Sequence, residues 1–178
     1  MKSLHFKAFG APQAVLEFGD SHKPTPQENE VLVKVAASPV SPADYIFIHG
    51  RYRVQPVLPQ IAGLEGAGVV VQADKAGKVP VGSLVSFRHR GCWAEFVSVP
   101  VEKLYILPKA FPLEKACQFA LNQITAWALL EQAKVQENSW LLLTAGNSTV
   151  SRVIIQLARK RGIHVIAATR GKKDETDH

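Results

Sequence analysis

The sequence predicts a protein of mixed β and α/β class, in which a β-rich N-terminal part precedes one βαβ unit. Two observations carry this prediction. Residues 1–110 contain short apolar runs separated by frequent glycine and proline turns, which is typical of a small barrel or sandwich. Residues 139–170 pass through an apolar run, a small polar loop, a helical stretch and a second apolar run.

The β-rich part is predicted to hold several strands and one short helix. Apolar alternation or continuous apolar sequence places the strands at Leu4–Ala8, Val31–Val35, Gly66–Gln72, Ser83–Phe87 and Ala94–Val99. A helix over about Ala43–Ile48 follows Ser41 and Pro42, because serine caps a helix and proline suits its first turn. We therefore expect one domain over residues 1–112.

Residues 113–178 are predicted to form a second domain, made of linking helices and the βαβ unit. Helical spacing runs from Leu113 to Ala133, and the βαβ unit begins with a strand at Trp140–Leu143. Gly162 ends its helix, and its second strand covers Val165–Ala168. A doubly wound nucleotide-binding sheet needs about six strands. Since the chain ends soon after the second strand of this unit, we expect it to be cut off inside that domain.

Composition restricts the classes of partner. The chain has 178 residues, 47% of them hydrophobic and 20% charged, which is ordinary for a globular protein. The net charge of +6 admits a polyanion, but the basic residues are scattered and the run Arg159–Arg161 closes a helix, so no nucleic-acid partner is expected. No apolar run is long enough for a membrane span. Cys92 and Cys117 form neither a disulfide framework nor a zinc motif, which favours a cytoplasmic, reduced protein.

The first loop of the βαβ unit is a candidate site for a dinucleotide pyrophosphate, at a helix N-terminus. Phosphate loops prefer glycine because the backbone must approach the ligand closely, and Gly146 is the only glycine here. The residues expected to contact the cofactor are Gly146, Asn147, Ser148, Thr149 and Val150. Hydroxyl groups can donate to phosphate, so the loop is either a cofactor site or an ordinary capped strand–helix turn.

Arg170 ends the second strand, at the position that faces the adenosine ribose in this kind of fold. An acidic residue there favours NAD, whereas an arginine accommodates the 2′-phosphate of NADP. NADPH is therefore the expected cofactor. The alternative is a solvated basic tail formed by Arg170, Lys172 and Lys173.

Tyr52 follows the predicted short helix and lies between Arg51 and Arg53. Flanking cations favour negative charge near the ring, so Tyr52 is a candidate proton donor or oxyanion partner. Considered alone, a loop tyrosine is more often a packing residue. His49 could contact a substrate or serve in packing, and Glu65 between glycines suggests a structural carboxylate.

Several segments, in this order, resemble the medium-chain dehydrogenase/reductase superfamily. They are SPVSPADYIFIHGRY, LPQIAGLEGAGVV, VPVGSLVSF, GCWAEFVSVP, ALNQITAWALL and the βαβ unit. The resemblance implies a GroES-like β-barrel domain for substrate, the first βαβ unit of a Rossmann fold for the nicotinamide cofactor, and an active site in the cleft between them. It also implies a homo-oligomer for the full-length parent.

The resemblance is to a zinc-independent branch of that superfamily. Ser41 stands where zinc-dependent members have cysteine, and Leu64 stands where they have the histidine of a Gly-His-Glu motif. Neither side chain is a good zinc ligand. We therefore expect no metal.

Within that branch the chain resembles the mitochondrial-type 2-enoyl thioester reductases, with zeta-crystallin-like NADPH:quinone oxidoreductases as the alternative. The catalytic tyrosine motif matches Gly50–Tyr52, an Asn-Pro-x-Thr-Ala segment matches Asn122–Ala126, and a glycine-poor phosphate loop matches Asn147–Ser151. Gln123 replaces the proline and Arg51 replaces an asparagine. The resemblance implies catalytic roles for Tyr52 and Asn122.

The same resemblance implies further contacts and a substrate. Asn122 and Thr125 would contact the cofactor, and His49 and Trp93 would line the substrate cleft, although Trp93 suits core packing equally well. The substrate would be an enoyl thioester or a quinone. An explanation of a different class is a truncated, non-catalytic fragment that acts at most as a binding or dimerisation module.

Overall fold

The computed structural model describes residues 1–171, so Lys172 and Lys173 lie outside the described residues. The chain divides into two units, Met1–Ala120 and Leu121–His178. The elements of the first unit are β1 (Lys2–Phe6), α1 (Pro12–Val15), β2 (Leu16–Asp20), β3 (Glu30–Ala37), α2 (Pro42–Ile48), β4 (Gln60–Ile61), β5 (Gly66–Gln72), β6 (Leu84–Phe87), β7 (Phe96–Pro100), β8 (Leu104–Leu107) and α3 (Leu113–Ala116). The predicted mixed β and α/β class is confirmed.

The strands of the first unit form two antiparallel sheets. One has the order β2-β1-β4 and the other the order β7-β3-β5-β6-β8. Within residues 1–171 these pairings do not close into a barrel, and a bridge between Ser3 and Ala94 links the two sheets. The sequence favoured a small barrel or sandwich, and the resemblance implied a GroES-like β-barrel domain.

Two of the apolar cores of this unit position the site. The larger one is built from alternate residues of the five-stranded sheet: Val31, Val33, Val70, Val85, Phe87, Val97 and Val99. The other contains Phe6 and Ala62 from the three-stranded sheet and Phe47 and Ile48 from α2. The rings of Phe6 and Phe47 meet edge to face, 5.9 Å apart. This contact fixes α2 against the sheet.

The second unit contains α4 (Ile124–Ala133), β9 (Trp140–Leu143), α5 (Thr149–Lys160) and β10 (His164–Ala167). β9 and β10 pair in parallel, with Trp140 opposite His164, and α5 connects them. The predicted βαβ unit is confirmed. Buried Leu130 of α4 and Ile154 and Ala158 of α5 form its core. No helix among residues 1–171 is long and apolar enough to cross a bilayer.

The division between units falls after Ala120, whereas the sequence placed it after Pro112. The reason is the packing of α3 on the five-stranded sheet. Ala116 and Cys117 are buried against Ala67, Leu84 and Leu107. The helix that looked like the start of a linker is therefore part of the first unit.

Candidate functional site

Tyr52 reaches its position through a glycine turn at the end of α2. Gly50 has a φ of +69°, and a Cβ there would lie 2.8 Å from the ring of Phe9. Only glycine satisfies both constraints. The turn brings the Tyr52 ring edge to face with Phe47, at 6.3 Å between centroids. The hydroxyl then accepts a hydrogen bond of 2.5 Å from Nη2 of Arg88, which follows β6.

A pocket of about 290 Å³ opens beside this pair. Its walls are partly apolar, from Phe47, Val54 and Leu64. The remaining lining residues are Tyr52, Arg53, Arg88, His89, Arg90 and Lys103. Arginine and lysine remain charged at neutral pH, so a polar phenol lies in a strongly positive pocket.

The pKa of His89 is shifted by burial and by the charges around it. Burial, with the nearby cations of Lys103 and Arg90, lowers the pKa of His89 to about 4, against smaller opposing effects from Glu30 and Glu102. Nζ of Lys103 lies 3.5 Å from Nδ1 of the imidazole. His89 is therefore neutral at pH 7, and the charge of the pocket comes from its arginines and lysine.

Among the described residues, the first unit has three buried carboxylates, Asp44, Glu65 and Asp74, and the first two interact electrostatically. Asp44 caps α2, where its Oδ2 accepts hydrogen bonds from the amide and hydroxyl of Ser41 at 2.8 and 2.9 Å. Glu65, which precedes β5, is 3% exposed, and its Oε2 has no hydrogen-bond partner among the described residues. Burial, with a smaller effect of Asp44, raises the pKa of Glu65 to about 7, and the Arg88 cation opposes this shift.

The raised pKa of Glu65 predicts a pH-dependent free energy of unfolding. The folded state holds the proton up to about pH 7, whereas unfolded Glu65 releases it near 4.5. Stability is therefore full below pH 4.5 and falls as the pH rises to 7. We expect Glu65→Gln to remove this fall, so that at pH 8 the variant is more stable by roughly 2–3 kcal/mol.

Urea denaturation of both proteins at pH 5 and pH 8 measures this difference. Glu114→Gln is the matched control, because Glu114 is exposed and the change should leave the pH profile of the wild type in place. A Glu65→Gln profile with the same slope as the wild type between these two values would contradict the assignment.

The second unit has a separate pocket of about 590 Å³ at the carboxyl ends of β9 and β10. The residues that line it are Thr144, Ala145, Asn147, Ser148, Ala168, Thr169 and Arg170. Asn147 and Thr149 are exposed, and Oγ of Ser148 accepts a hydrogen bond of 3.2 Å from the amide of Ser151. Ser148 therefore caps α5 and lines a pocket that also contains Arg170.

Gly146 and Val150 have structural roles in this loop. A Cβ on Gly146 would lie 2.8 Å from Cβ of Ala167, and its amide donates to the carbonyl of Ala168 at 2.9 Å. Glycine is thus needed for close packing of the loop on the end of β10. The Val150 side chain packs against the core around Ile154. Their side chains therefore do not supply polar contacts to the pocket.

The other predicted site residues lie away from the lining of both pockets. Nδ1 of His49 lies 2.9 Å from the carbonyl oxygen of Tyr45, and the two rings stack at 4.2 Å. Nε1 of Trp93 donates to Pro39 at 3.2 Å, and its ring packs on the core around Phe47. Asn122 lies in a π-helical turn over Phe119–Gln123, and Thr125 lies in α4.

Sequence reasoning missed the cationic pocket as a unit. Arg88 and Arg90 follow β6, Arg53 follows α2, and Lys103 lies in a 3₁₀ turn before β8. In the sequence these residues look like scattered surface charge, because only the packing of α2 against the sheets brings them together. Among residues 1–171, no group of three histidine, cysteine, aspartate or glutamate side chains is placed to hold a metal ion.

The architecture defines a class: a GroES-like domain followed by a βαβ unit of the dinucleotide-binding type. Residues 27–109 match the family model of the alcohol dehydrogenase GroES-like domain. The chain is similar to members of the medium-chain dehydrogenase/reductase superfamily, the resemblance that its motifs predicted.

Relatives with sequence similarity over almost the whole chain are reductases. The mitochondrial enoyl-acyl-carrier-protein reductase of Caenorhabditis elegans is 31% identical over 97% of this chain and 51% of its own length. The human enzyme of the same name is 28% identical over 98% of this chain and 48% of its own. The chain spans about half the length of the curated relatives it matches.

A solved structure agrees with this relationship. The quinone oxidoreductase of Thermus thermophilus, also determined in complex with NADPH, superposes with a TM-score of 0.80 at 30% identity, over 95% of this chain and 53% of that one. The fold of both units is therefore shared with an NADPH-binding enzyme.

Proposed function

We propose that this chain carries part of an NADPH-dependent reductase that transfers hydride to the activated alkene of a 2-enoyl thioester, with Tyr52 as the oxyanion partner or proton donor. The observation that carries the proposal is the hydrogen bond from Arg88 to the hydroxyl of Tyr52, at 2.5 Å, in a pocket lined by cations. The names of the relatives support the substrate class.

The chemistry follows from the charge that develops during reduction. Addition of hydride to the β-carbon places negative charge on the thioester carbonyl oxygen, as an enolate. The Tyr52 hydroxyl can donate to that oxygen, and the Arg88 cation stabilises the phenol as it gives up proton density. As proton donor, the Tyr52 hydroxyl then passes a proton to the α-carbon, the phenolate regains a proton from solvent, and the reduced thioester leaves.

The residues of the second unit fit NADPH. The cofactor would supply the hydride. The first turn of α5 offers backbone amides to a pyrophosphate, and Arg170 lines the same pocket and offers a cation to a 2′-phosphate. Asn147, Ser148 and Thr149 offer polar side chains, while Gly146 and Val150 maintain the loop. Catalytic and cofactor roles for Asn122 and Thr125 remain predictions, as do cleft roles for His49 and Trp93.

A quinone is the second candidate acceptor. The similarity to a quinone oxidoreductase solved with NADPH favours it. Reduction of a quinone also places negative charge on an oxygen, so Tyr52 and Arg88 would serve both reactions. An enoyl-thioester and quinone panel, with NADPH oxidation followed by absorbance, separates the two acceptors.

The candidate of another class is a non-catalytic binding or dimerisation module. The sheet of the second unit exposes Trp140 and Leu142 at 66% each and Ile166 at 54%, an apolar face that could be covered by another protein surface. Sedimentation would detect self-association. A cytoplasmic location and a homo-oligomeric parent protein stay predictions.

The first test is NADPH binding to the purified chain by calorimetry. We expect saturable binding that is weakened about tenfold or more in Arg170→Ala, because a charge-assisted contact to the 2′-phosphate is lost. NADH should bind the wild type more weakly and should be insensitive to the same substitution. Arg159→Ala is the matched control, since Arg159 is exposed at the other end of α5.

If the chain gives the circular-dichroism spectrum of a folded protein but does not bind NADPH, the reductase proposal is rejected for this chain. The non-catalytic module is then the remaining candidate. An equal loss of NADPH affinity in Arg170→Ala and Arg159→Ala would reject the specific role of Arg170.

A further inference from the structure

The cationic pocket of the first unit contains more positive charge than the proposed reaction needs. Arg53, Arg88, Arg90 and Lys103 all line it, and no acidic side chain does. A single oxyanion on the substrate would be served by Tyr52 and Arg88 alone. The other cations therefore require their own explanation.

These cations are not neutralised by ion pairs. Among the described residues, no carboxylate is recorded within 4.0 Å of Arg53, Arg90 or Lys103. The Arg88 cation acts electrostatically on buried Glu65, whose pKa of about 7 leaves it partly protonated at neutral pH. Like charges held together without counter-charge repel, and a bound anion relieves that repulsion.

Two further observations locate the charge inside the pocket. The imidazole of His89 lies 3.5 Å from Nζ of Lys103, and both residues line the cavity. Burial is the largest cause that lowers the pKa of His89; the cations of Lys103 and Arg90 lower it further, against smaller opposite effects of Glu30 and Glu102. The positive field therefore outweighs the nearby carboxylates where a ligand would bind.

We propose that this pocket binds a phosphate group. Guanidinium groups bind phosphate with paired hydrogen bonds, and several fixed cations suit a dianion better than a monovalent carboxylate. A volume of about 290 Å³ accommodates a phosphate, with Phe47, Val54 and Leu64 available to an attached organic group. Two sources share this chemistry: free inorganic phosphate, and the phosphate of the pantetheine carrier of a thioester. The second source rests on the proposed function.

The test uses the full chain without NADPH, so that its failure is distinct from failure of the reductase proposal. Inorganic phosphate, phosphopantetheine and pantetheine are titrated at pH 7.5 by calorimetry, with sodium chloride at matched ionic strength as the reference. The side-chain nitrogen resonances of His89 are followed in parallel by NMR. His164, in the second unit, is the internal reference.

We expect saturable binding of inorganic phosphate, with a shift of the His89 resonances and none of His164. The double variant Arg53→Gln/Arg90→Gln should weaken that binding at least about tenfold, because it removes two charge-assisted contacts. Lys109→Gln/Arg159→Gln is the matched control: it removes the same charge from exposed positions outside the pocket. Tighter binding of phosphopantetheine than of inorganic phosphate assigns the ligand to a thioester carrier, and equal binding assigns it to free phosphate.

The proposal is overturned if phosphate shifts His89 no more than chloride does, if pantetheine without phosphate binds as well as phosphopantetheine, or if both double variants weaken binding equally. A folded spectrum of each double variant is recorded first. Both replaced arginines are exposed, so the substitutions should leave the fold intact.

Discussion

Replacing Tyr52 by phenylalanine is expected to slow the reduction of an enoyl thioester by about 10²- to 10⁴-fold, the usual contribution of a positioned proton donor or oxyanion partner. The substitution keeps the ring and its edge-to-face contact with Phe47. It removes only the hydroxyl that Arg88 holds at 2.5 Å. The effect should therefore fall on the chemical step.

Steady-state kinetics with saturating NADPH measure this effect in a preparation that passes the cofactor-binding test. We expect kcat to fall and NADPH affinity to stay unchanged, since Tyr52 does not line the pocket of the second unit that is proposed for NADPH. Tyr105→Phe is the matched control, because Tyr105 is 41% exposed and lies outside both pockets. Full activity of Tyr52→Phe would reject the role of its hydroxyl.

Gly68→Ala is expected to destabilise the first unit by at least about 3 kcal/mol, at the upper end of overpacking effects. A Cβ at this position would lie 2.1 Å from the backbone oxygen of Lys34 and 2.8 Å from Cγ1 of Val33. Gly68 pairs with Val35 beside an irregularity in the β3–β5 register. The two central strands would have to separate to admit the methyl group.

Thermal and urea denaturation measure the loss. Gly77→Ala is the matched control: its Cβ would have open space, and its φ of +67° costs about 1–2 kcal/mol through backbone strain alone. If Gly68→Ala unfolded at the midpoint of the wild type, the close approach of β3 and β5 would be wrong.

Elements whose signals are local could be predicted from sequence. Ser41 and Pro42 begin α2, and the structure adds the Asp44 carboxylate that completes the cap. The βαβ unit was predicted from apolar runs and Gly162, because its contacts lie close in sequence. By contrast, α1, β2, β4 and β8 were not predicted. β2 and β4 pair with β1, and β8 pairs with β6. These three strands depend on partners that are distant in sequence, so their own residues do not show a clear strand pattern.

The candidate site divides in the same way. Tyr52 and the loop around Ser148 could be found from motifs, because a motif is a run of neighbouring residues. The partner of Tyr52 could not, because Arg88 is 36 residues away and only the packing of α2 against the sheets brings the two together. The cationic pocket could not be predicted for the same reason, because the residues that line it are far apart in the sequence.

The sequence by itself determined the class of the fold, the resemblance to the superfamily and the choice of the candidate tyrosine, since each depends on short patterns of residue type. Only the tertiary structure decided that the sheets stay open, that α3 belongs to the first unit and that four cations line one pocket. It also decided that Glu65 is buried with an unpaired oxygen. These features arise from contacts between distant segments, whose distances and desolvation are set by packing rather than by any local run of residues.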